Sequence, residues 1–267
     1  MNFVCPKCRG ALSLEGGTAK CPQGHAYDRA RAGYFNLLLA SSGSTHGDNR
    51  EMVEARRAFL DTGAYFPLAK RVSELARAYL SGTRVLDIGC GEGYYTDVIE
   101  KSLSDVGASV SAFDISRDAV KYAARRNKRL ELAVASAYKM PTEDESFDLA
   151  INMFSPLAKE EIYRTLRKDG VFILAVPGEE HLFGLKRATY KTPYKNELSD
   201  SDIEGFDLVL TERVSYELDL GSRDEISSLF MMTPYAYRTP PEDKKRVLSL
   251  ESLKTAVDFV IFVYKKL

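Results

Sequence analysis

Hydrophobic residues follow two different periods along this chain, and the change of period divides it. Between residues 50 and 62, Met52, Val53, Ala55, Phe59 and Leu60 recur at helical spacing, and Gly63 ends the run. Pro67 opens a second stretch, to about residue 80, that places Leu68, Val72, Leu75, Ala76 and Tyr79 on one face. From Thr83 onward short apolar runs alternate with helical segments. Strands are predicted over 84–88, 109–113, 130–135, 149–154 and 171–176, and helices over 94–103, 117–127 and 159–167. This β-α alternation predicts an α/β fold: a mostly parallel, doubly wound sheet with helices on both faces. The tail adds strands over about 206–218 and 257–264 and helices over about 223–232 and 241–253. One charge, Asp258, interrupts the apolar run that starts at Ala256.

Neither period covers the first 35 residues or so, which read as a small independent module, too short to build a core without a staple. The staple is legible as Cys5-Pro-Lys-Cys8, twelve intervening residues, then Cys21-Pro-Gln-Gly-His25. Zinc takes four soft or borderline donors in a tetrahedron, and each tight turn delivers two of them to one ion. Four protein ligands leave no open position, so the expected site is structural. Small polar residues over 41–49 (SSGSTHGDN) have linker composition, and the histidine among them, His46, is given no role. The chain thus divides into a zinc-binding module at 1–36, a linker with two helices at 37–82, and an α/β domain at 83–267.

Composition narrows the partners. With 37 Lys+Arg against 38 Asp+Glu the formal net charge is -1, which excludes a globally basic, histone-like binder. Residues 1–40 nevertheless carry five basic and two acidic side chains. Two further basic clusters stand at Lys121, Arg125, Arg126, Lys128 and Arg129, and at Lys186, Arg187, Lys191 and Lys195. The first reads as a solvated helix face; the second follows the fifth strand and is the better phosphate contact. No apolar run is long enough to span a bilayer and no leader pattern opens the chain, so a cytoplasmic protein without a membrane partner is expected.

The richest chemistry lies in Val85-Leu86-Asp87-Ile88-Gly89-Cys90-Gly91-Glu92-Gly93-Tyr94, a strand, a glycine turn and a helix start. Glycines let backbone N–H groups approach a ligand closely at the carboxyl edge of a sheet. A dinucleotide fingerprint would place its third glycine where Tyr94 stands. Asp114, at the end of the second strand, is placed to accept both hydroxyls of a ribose. Cys90 reads as a small buried loop residue.

The D-x-G-x-G-x-G form resembles motif I of class I S-adenosylmethionine-dependent methyltransferases. That resemblance implies a Rossmann-like fold with Asp87, Gly89, Gly91, Gly93 and Asp114 against the cofactor. It also implies adenine near Ser136-Ala137-Tyr138-Lys139-Met140-Pro141 and a catalytic loop at Asn152-Met153-Phe154-Ser155-Pro156. The Arg164-Thr165-Leu166-Arg167-Lys168-Asp169-Gly170 stretch resembles the turn that precedes strand five in that class.

Taken with the zinc module, three more segments closely resemble the RlmA family, and the resemblance runs nearly the whole chain. They are Arg56-Arg57-Ala58-Phe59-Leu60-Asp61-Thr62-Gly63-Ala64-Tyr65, Pro177-Gly178-Glu179-Glu180-His181-Leu182 and Met232-Thr233-Pro234-Tyr235-Ala236-Tyr237. The resemblance implies methylation of guanine N1 in a hairpin loop of 23S ribosomal RNA, with zinc on Cys5, Cys8, Cys21 and His25. It further implies cofactor contacts at Tyr65, Gly91, Glu92 and His181, and a homodimer. The loop at 152–156 departs from the I-Y-A-P of the enterobacterial branch, so which guanosine is modified stays open.

Methyl transfer is an in-line displacement, and guanine N1 must lose a proton. The sequence names no single base for it. Asn152 is the candidate for orienting the base edge, and Phe154, with Tyr65 or Tyr94, for stacking on the ring. Two other readings stay open: a small-molecule methyltransferase, and a non-catalytic ribosome-binding protein that keeps the fold. The intact set Asp87, Gly89, Gly91, Gly93 and Asp114 weighs against the latter.

Overall fold

The computed structural model describes residues 1–39, 47–198 and 201–267; most of the expected linker, with His46, lies outside the described residues. The amino-terminal module holds a three-stranded antiparallel sheet of β1 (Ser13–Glu15), β2 (Thr18–Lys20) and β3 (Ala26–Asp28). A short β4 (Phe35–Asn36) follows. Two helices, α1 (Arg50–Leu60) and α2 (Phe66–Tyr79), lead into the main domain. The Asn49 side chain accepts from Met52 N and so satisfies one of the free donors at the start of α1.

The main strands are β5 (Arg84–Ile88), β6 (Ser109–Asp114), β7 (Glu131–Val134), β8 (Phe147–Met153), β9 (Leu166–Pro177), β10 (Phe206–Leu220) and β11 (Leu253–Lys266). With β4 they form one eight-stranded sheet in the order β10-β11-β9-β8-β5-β6-β7-β4. Pairing is parallel from β4 through β9, and β11 and β10 close that side antiparallel. Helices α3 (Tyr94–Leu103), α4 (Arg117–Arg126) and α5 (Lys159–Thr165) fill the crossovers, as the apolar periodicity predicts.

The structure departs from the sequence reading in three places. First, β9 begins at Leu166 rather than near 171. Its pairing with β8 jumps from Phe147↔Leu166 to Leu149↔Val171, so Lys168-Asp169-Gly170 forms a bulge in a strand. Asp169 takes φ 61°, a left-handed conformation that aspartate tolerates better than most residues. Second, two helices were not read: α6 (Phe183–Thr189) and, after α7 (Arg223–Met231), the single turn α8 (Tyr235–Arg238). The last helix, α9 (Pro241–Leu248), stops short of 253 because Leu253 already pairs with Leu220.

Third, the amino-terminal module is docked on the main domain rather than packed by itself. Phe35 pairs with Ala133 on β7, Val4 N donates to Pro141 O at 2.8 Å, and Arg9 donates to Thr142 O at 2.7 Å. Phe3, Cys5, Leu12 and Cys21 share one buried cluster with Met140, Phe147 and Phe172. The module thereby covers part of one face of the large sheet. No helix among the described residues is long and apolar enough to cross a membrane.

Candidate cofactor and zinc sites

The strand order reverses at β5, which has β6 on one side and β8 on the other. Connections leaving such a point run to opposite faces and open a crevice at the carboxyl edge. The glycine turn sits there. Gly89 N and Cys90 N donate to Phe113 O at 2.9 and 3.0 Å, and Gly91 N donates to Asp114 Oδ2 at 2.9 Å. All three glycines have positive φ: 75°, 55° and 85° for Gly89, Gly91 and Gly93. They serve different ends. A Cβ at Gly89 would lie 2.3 Å from Ser155 Cβ, and one at Gly93 2.8 Å from Ala123 Cβ. At Gly91 the nearest atom is Arg56 Nη1, 3.9 Å away. The outer glycines allow the chain to pack; the middle one leaves the space a ligand needs.

Three carboxylates surround the turn. Asp87 is buried beneath it and accepts from Thr96 Oγ1 at 2.5 Å, and burial pushes its pKa up to about 6. Asp114 accepts from Gly91 N and, through Oδ1, from Ser116 N at 2.8 Å. Burial raises its pKa while the two N–H groups oppose the shift. Glu92 is buried and receives Arg126 Nε and Nη2 at 3.0 and 2.6 Å; burial raises its pKa, and Arg126 opposes. Its Oε1 has no partner among the described residues. A buried acceptor with nothing to accept from, beside an open glycine and a ribose-ready aspartate, fits a polar ligand such as S-adenosylmethionine.

The expected catalytic loop follows β8. Asn152 is fully buried; its Nδ2 donates to Pro156 O at 3.1 Å and its Oδ1 has no partner among the described residues. Phe154 is 41% exposed and held at φ 60°. Its ring lies 6.0 Å from that of Tyr95 and 5.2 Å from that of Phe259. Phe259 in turn touches Tyr65 (5.0 Å, edge-on) and His181 (4.5 Å). Tyr65 and His181 are thus brought together, Tyr65 OH to His181 Nε2 at 3.4 Å, under an aromatic wall that surfaces at Phe154. The Asp258 backbone N–H donates to His181 Nδ1 at 3.3 Å, which leaves the ring hydrogen on Nε2. Burial lowers the His181 pKa to about 3, so the ring is neutral near pH 7.

In the amino-terminal module, Cys5, Cys8, Cys21 and His25 present ligand atoms that all lie within 4.8 Å of one another. Cys8 Sγ and Cys21 Sγ are 3.5 Å apart, and His25 Nδ1 is 3.4 Å from the sulfurs of both Cys5 and Cys21. Those spacings suit the edges of one tetrahedron with zinc–ligand bonds of roughly 2.0–2.3 Å. The fourth cysteine, Cys90, is buried in the glycine turn, and burial raises its pKa far above that of a reactive thiol.

Comparison with known proteins agrees with both sites. Residues 3–42 match the family model described as RlmA, N-terminal, and residues 80–225 match one described as a methyltransferase domain. The 23S rRNA (guanine(748)-N(1))-methyltransferase of Streptomyces fradiae is 32% identical over 252 residues, 91% of this chain and 88% of that one. The chain belongs to the RlmA family. YxjB of Bacillus subtilis (strain 168), whose name carries the same reaction without a nucleotide number, is 30% identical over 95% of this chain and 92% of its own. A Micromonospora griseorubida protein of similar name is 31% identical over 90% and 88%.

In this RlmA-family chain several cations have other duties than the sequence reading gives them. Arg126 is not on a solvated face: it joins Glu92 to Asp61. Lys186, read as a phosphate contact, is fully buried, its Nζ donating to Tyr194 O at 3.1 Å and Asn196 Oδ1 at 2.5 Å beside the Tyr194 ring. Lys195 pairs with Glu180, while Arg187 and Lys191 stay exposed. Next to the expected catalytic loop, Tyr138, Leu157, Ala158, Lys159, Glu160 and Glu161 line a cleft of about 320 Å³. Sequence reasoning also passed over Arg56, Tyr95 and Phe259; the lone charge of Asp258 inside an apolar run was the available signal for the last of these.

Two outcomes follow from this geometry. Protein purified without chelator should hold about one zinc per chain, and Cys8→Ser should lose it. Because Phe35–Asn36 pair with β7, hydrogen exchange should then speed up at Ala133 and Val134 as well as in the module; metal-free protein with unchanged exchange would count against a structural ion. The second outcome concerns His181. The unfolded chain takes up the imidazole proton near 6.5 and the folded one only near 3, so stability is full above 6.5 and falls as pH drops. Wild type should lose ~1 kcal/mol per pH unit more than His181→Asn below about pH 6. Superimposable denaturation profiles would refute it.

Proposed function

We propose that this chain transfers the methyl group of S-adenosylmethionine to N1 of a guanine in a hairpin loop of 23S ribosomal RNA. In this reading residues 1–36 grip RNA, 37–82 connect, and 83–267 carry out the transfer, in the cytoplasm and as a homodimer. The observation that carries the substrate is the relation to proteins named for this reaction over nine-tenths of the chain. The site agrees with it, since an exposed aromatic ring stands beside the glycine turn.

S-adenosylmethionine supplies an electrophilic methyl on a sulfonium centre. The protein's own groups hold, orient and shield. Gly91 admits the ligand to the turn, and Asp114, held by two backbone N–H groups, is oriented toward ribose hydroxyls. Phe154 offers the face on which a splayed base stacks, with Tyr95 and Phe259 behind it excluding water. A loop base suits this site because N1 is hidden within a Watson–Crick pair. Asn152 Oδ1, a buried acceptor without a partner among the described residues, is the group available to an N–H on the base edge. A neutral His181 adds no positive charge to repel the sulfonium.

Mass spectrometry of 23S ribosomal RNA should show one N1-methylguanosine that disappears on deletion and returns with wild type. It should not return with Gly91→Val, because a β-branched side chain at φ 55° fills the ligand's space. Phe154→Ala should lower kcat/KM for RNA roughly 5- to 150-fold, as loss of ~1–3 kcal/mol of stacking requires, with cofactor affinity retained. Activity that survives ribonuclease treatment of the substrate would instead establish a small-molecule acceptor.

A further inference from the structure

The open side of the glycine turn is faced by a cation that neither the sequence reading nor the family relation explains. Arg56, on α1, places Nη1 3.9 Å from the point where a Gly91 Cβ would stand. Its other terminal nitrogen makes only a long hydrogen bond, 3.4 Å, to Met232 O. Among the described residues its one carboxylate partner is Asp48. Asp48 belongs to the short segment ahead of α1 and is pinned over the end of β6: Ser116 Oγ donates to Asp48 O at 2.7 Å. Gly47 next to it has no room for a side chain, since a Cβ would lie 2.8 Å from Ile115 Cγ2.

The charges around the turn explain why such a cation is needed. Asp87, Glu92 and Asp114 all approach this one turn, and Asp48 adds a fourth carboxylate. The methionyl end of S-adenosylmethionine carries an α-carboxylate of its own. Entering the space beside Gly91, it meets like charge unless a cation receives it. Arg126 is committed to Glu92 and Asp61 inside the protein. Arg56 is two-thirds buried, and its planar fork matches a carboxylate in two-point geometry. We propose that Arg56 receives the α-carboxylate of S-adenosylmethionine, and that Asp48 holds that place in the cofactor-free protein. The assignment concerns the methyl donor alone and stands whichever acceptor is methylated.

Calorimetry on the full chain separates this role from general support of the fold. S-adenosylhomocysteine carries the carboxylate; 5′-deoxy-5′-methylthioadenosine shares the nucleoside and sulfur but lacks the amino-acid end. Arg56→Gln should weaken S-adenosylhomocysteine binding at least tenfold and change methylthioadenosine binding less than twofold. Arg56→Lys, which keeps the charge without the fork, should fall between Gln and wild type. Asp48→Asn, by removing the internal competitor, should tighten S-adenosylhomocysteine several-fold and leave methylthioadenosine alone. Equal losses for both ligands in Arg56→Gln, or wild-type affinity for both, would overturn the role of Arg56. If Arg56→Gln does not fold, the Asp48→Asn comparison decides: weaker or unchanged S-adenosylhomocysteine binding there overturns the proposal.

Discussion

With β6 paired to one edge of β5 and β8 to the other, the chain leaving Ile88 must turn into a crevice that neither crossover fills. That constraint sets the chemistry of the turn. Its N–H groups cannot continue the ladder, so Gly89 and Cys90 donate to Phe113 O and Gly91 donates to the Asp114 carboxylate. The turn is therefore preorganised by the neighbouring strand, and Asp114 is oriented by the same hydrogen bonds that close the turn. Glycine is required on both sides for packing, against Ser155 and Ala123, and in the middle for access.

The second wall of the site comes from the far end of the chain. β11 pairs antiparallel with β9 and carries Phe259 to the floor of the crevice. A carboxylate next to it, Asp258, is fully buried and would be costly if unpaired. Arg213 from β10 meets it with two bonds of 2.6 and 2.7 Å, and Glu180 N donates at 3.0 Å. Gly178 leaves the room, since a Cβ there would lie 2.3 Å from the carboxylate. The strand, the loop that holds His181 and the outer strand β10 are thus locked by one side chain, which fixes where Tyr65, His181 and Phe259 meet.

Most of this fold was legible because parallel strands and crossover helices write strong periodicities: 84–88 and 94–103 were read at the bounds the structure has. The zinc ligands and the glycine turn were legible because their spacing is local. What was not legible is long-range. The bulge at Asp169 depends on where β8 pairs, α6 is a single short turn pair behind a left-handed Leu182, and docking of the module depends on Phe35 finding β7. Charge misled most. Lys186 and Arg126 look like surface cations in a sequence, yet Lys186 is held inside by the segment that follows its own helix and Arg126 by Glu92 and Asp61, distant in the chain.

A chain whose formal net charge is -1 has little long-range attraction for RNA. The module's basic excess is partly spent within the protein. Arg9 ties the module to Thr142 and Asp144, Lys20 pairs with Glu15, and Arg29 donates to Gly33 O. Lys7 and Arg31 stay exposed with no ion pair among the described residues, as do Arg187 and Lys191 near the crevice. The module and the segment after β9 thus offer few uncommitted cations, and counterion release from those alone gives a shallow salt dependence. In the proposed reading, specific hold comes from stacking and from a shaped cleft, for which the exposed rings of Phe154 and Tyr138 are available. Such a surface selects a splayed loop over a regular helix, because only unstacked bases can reach it.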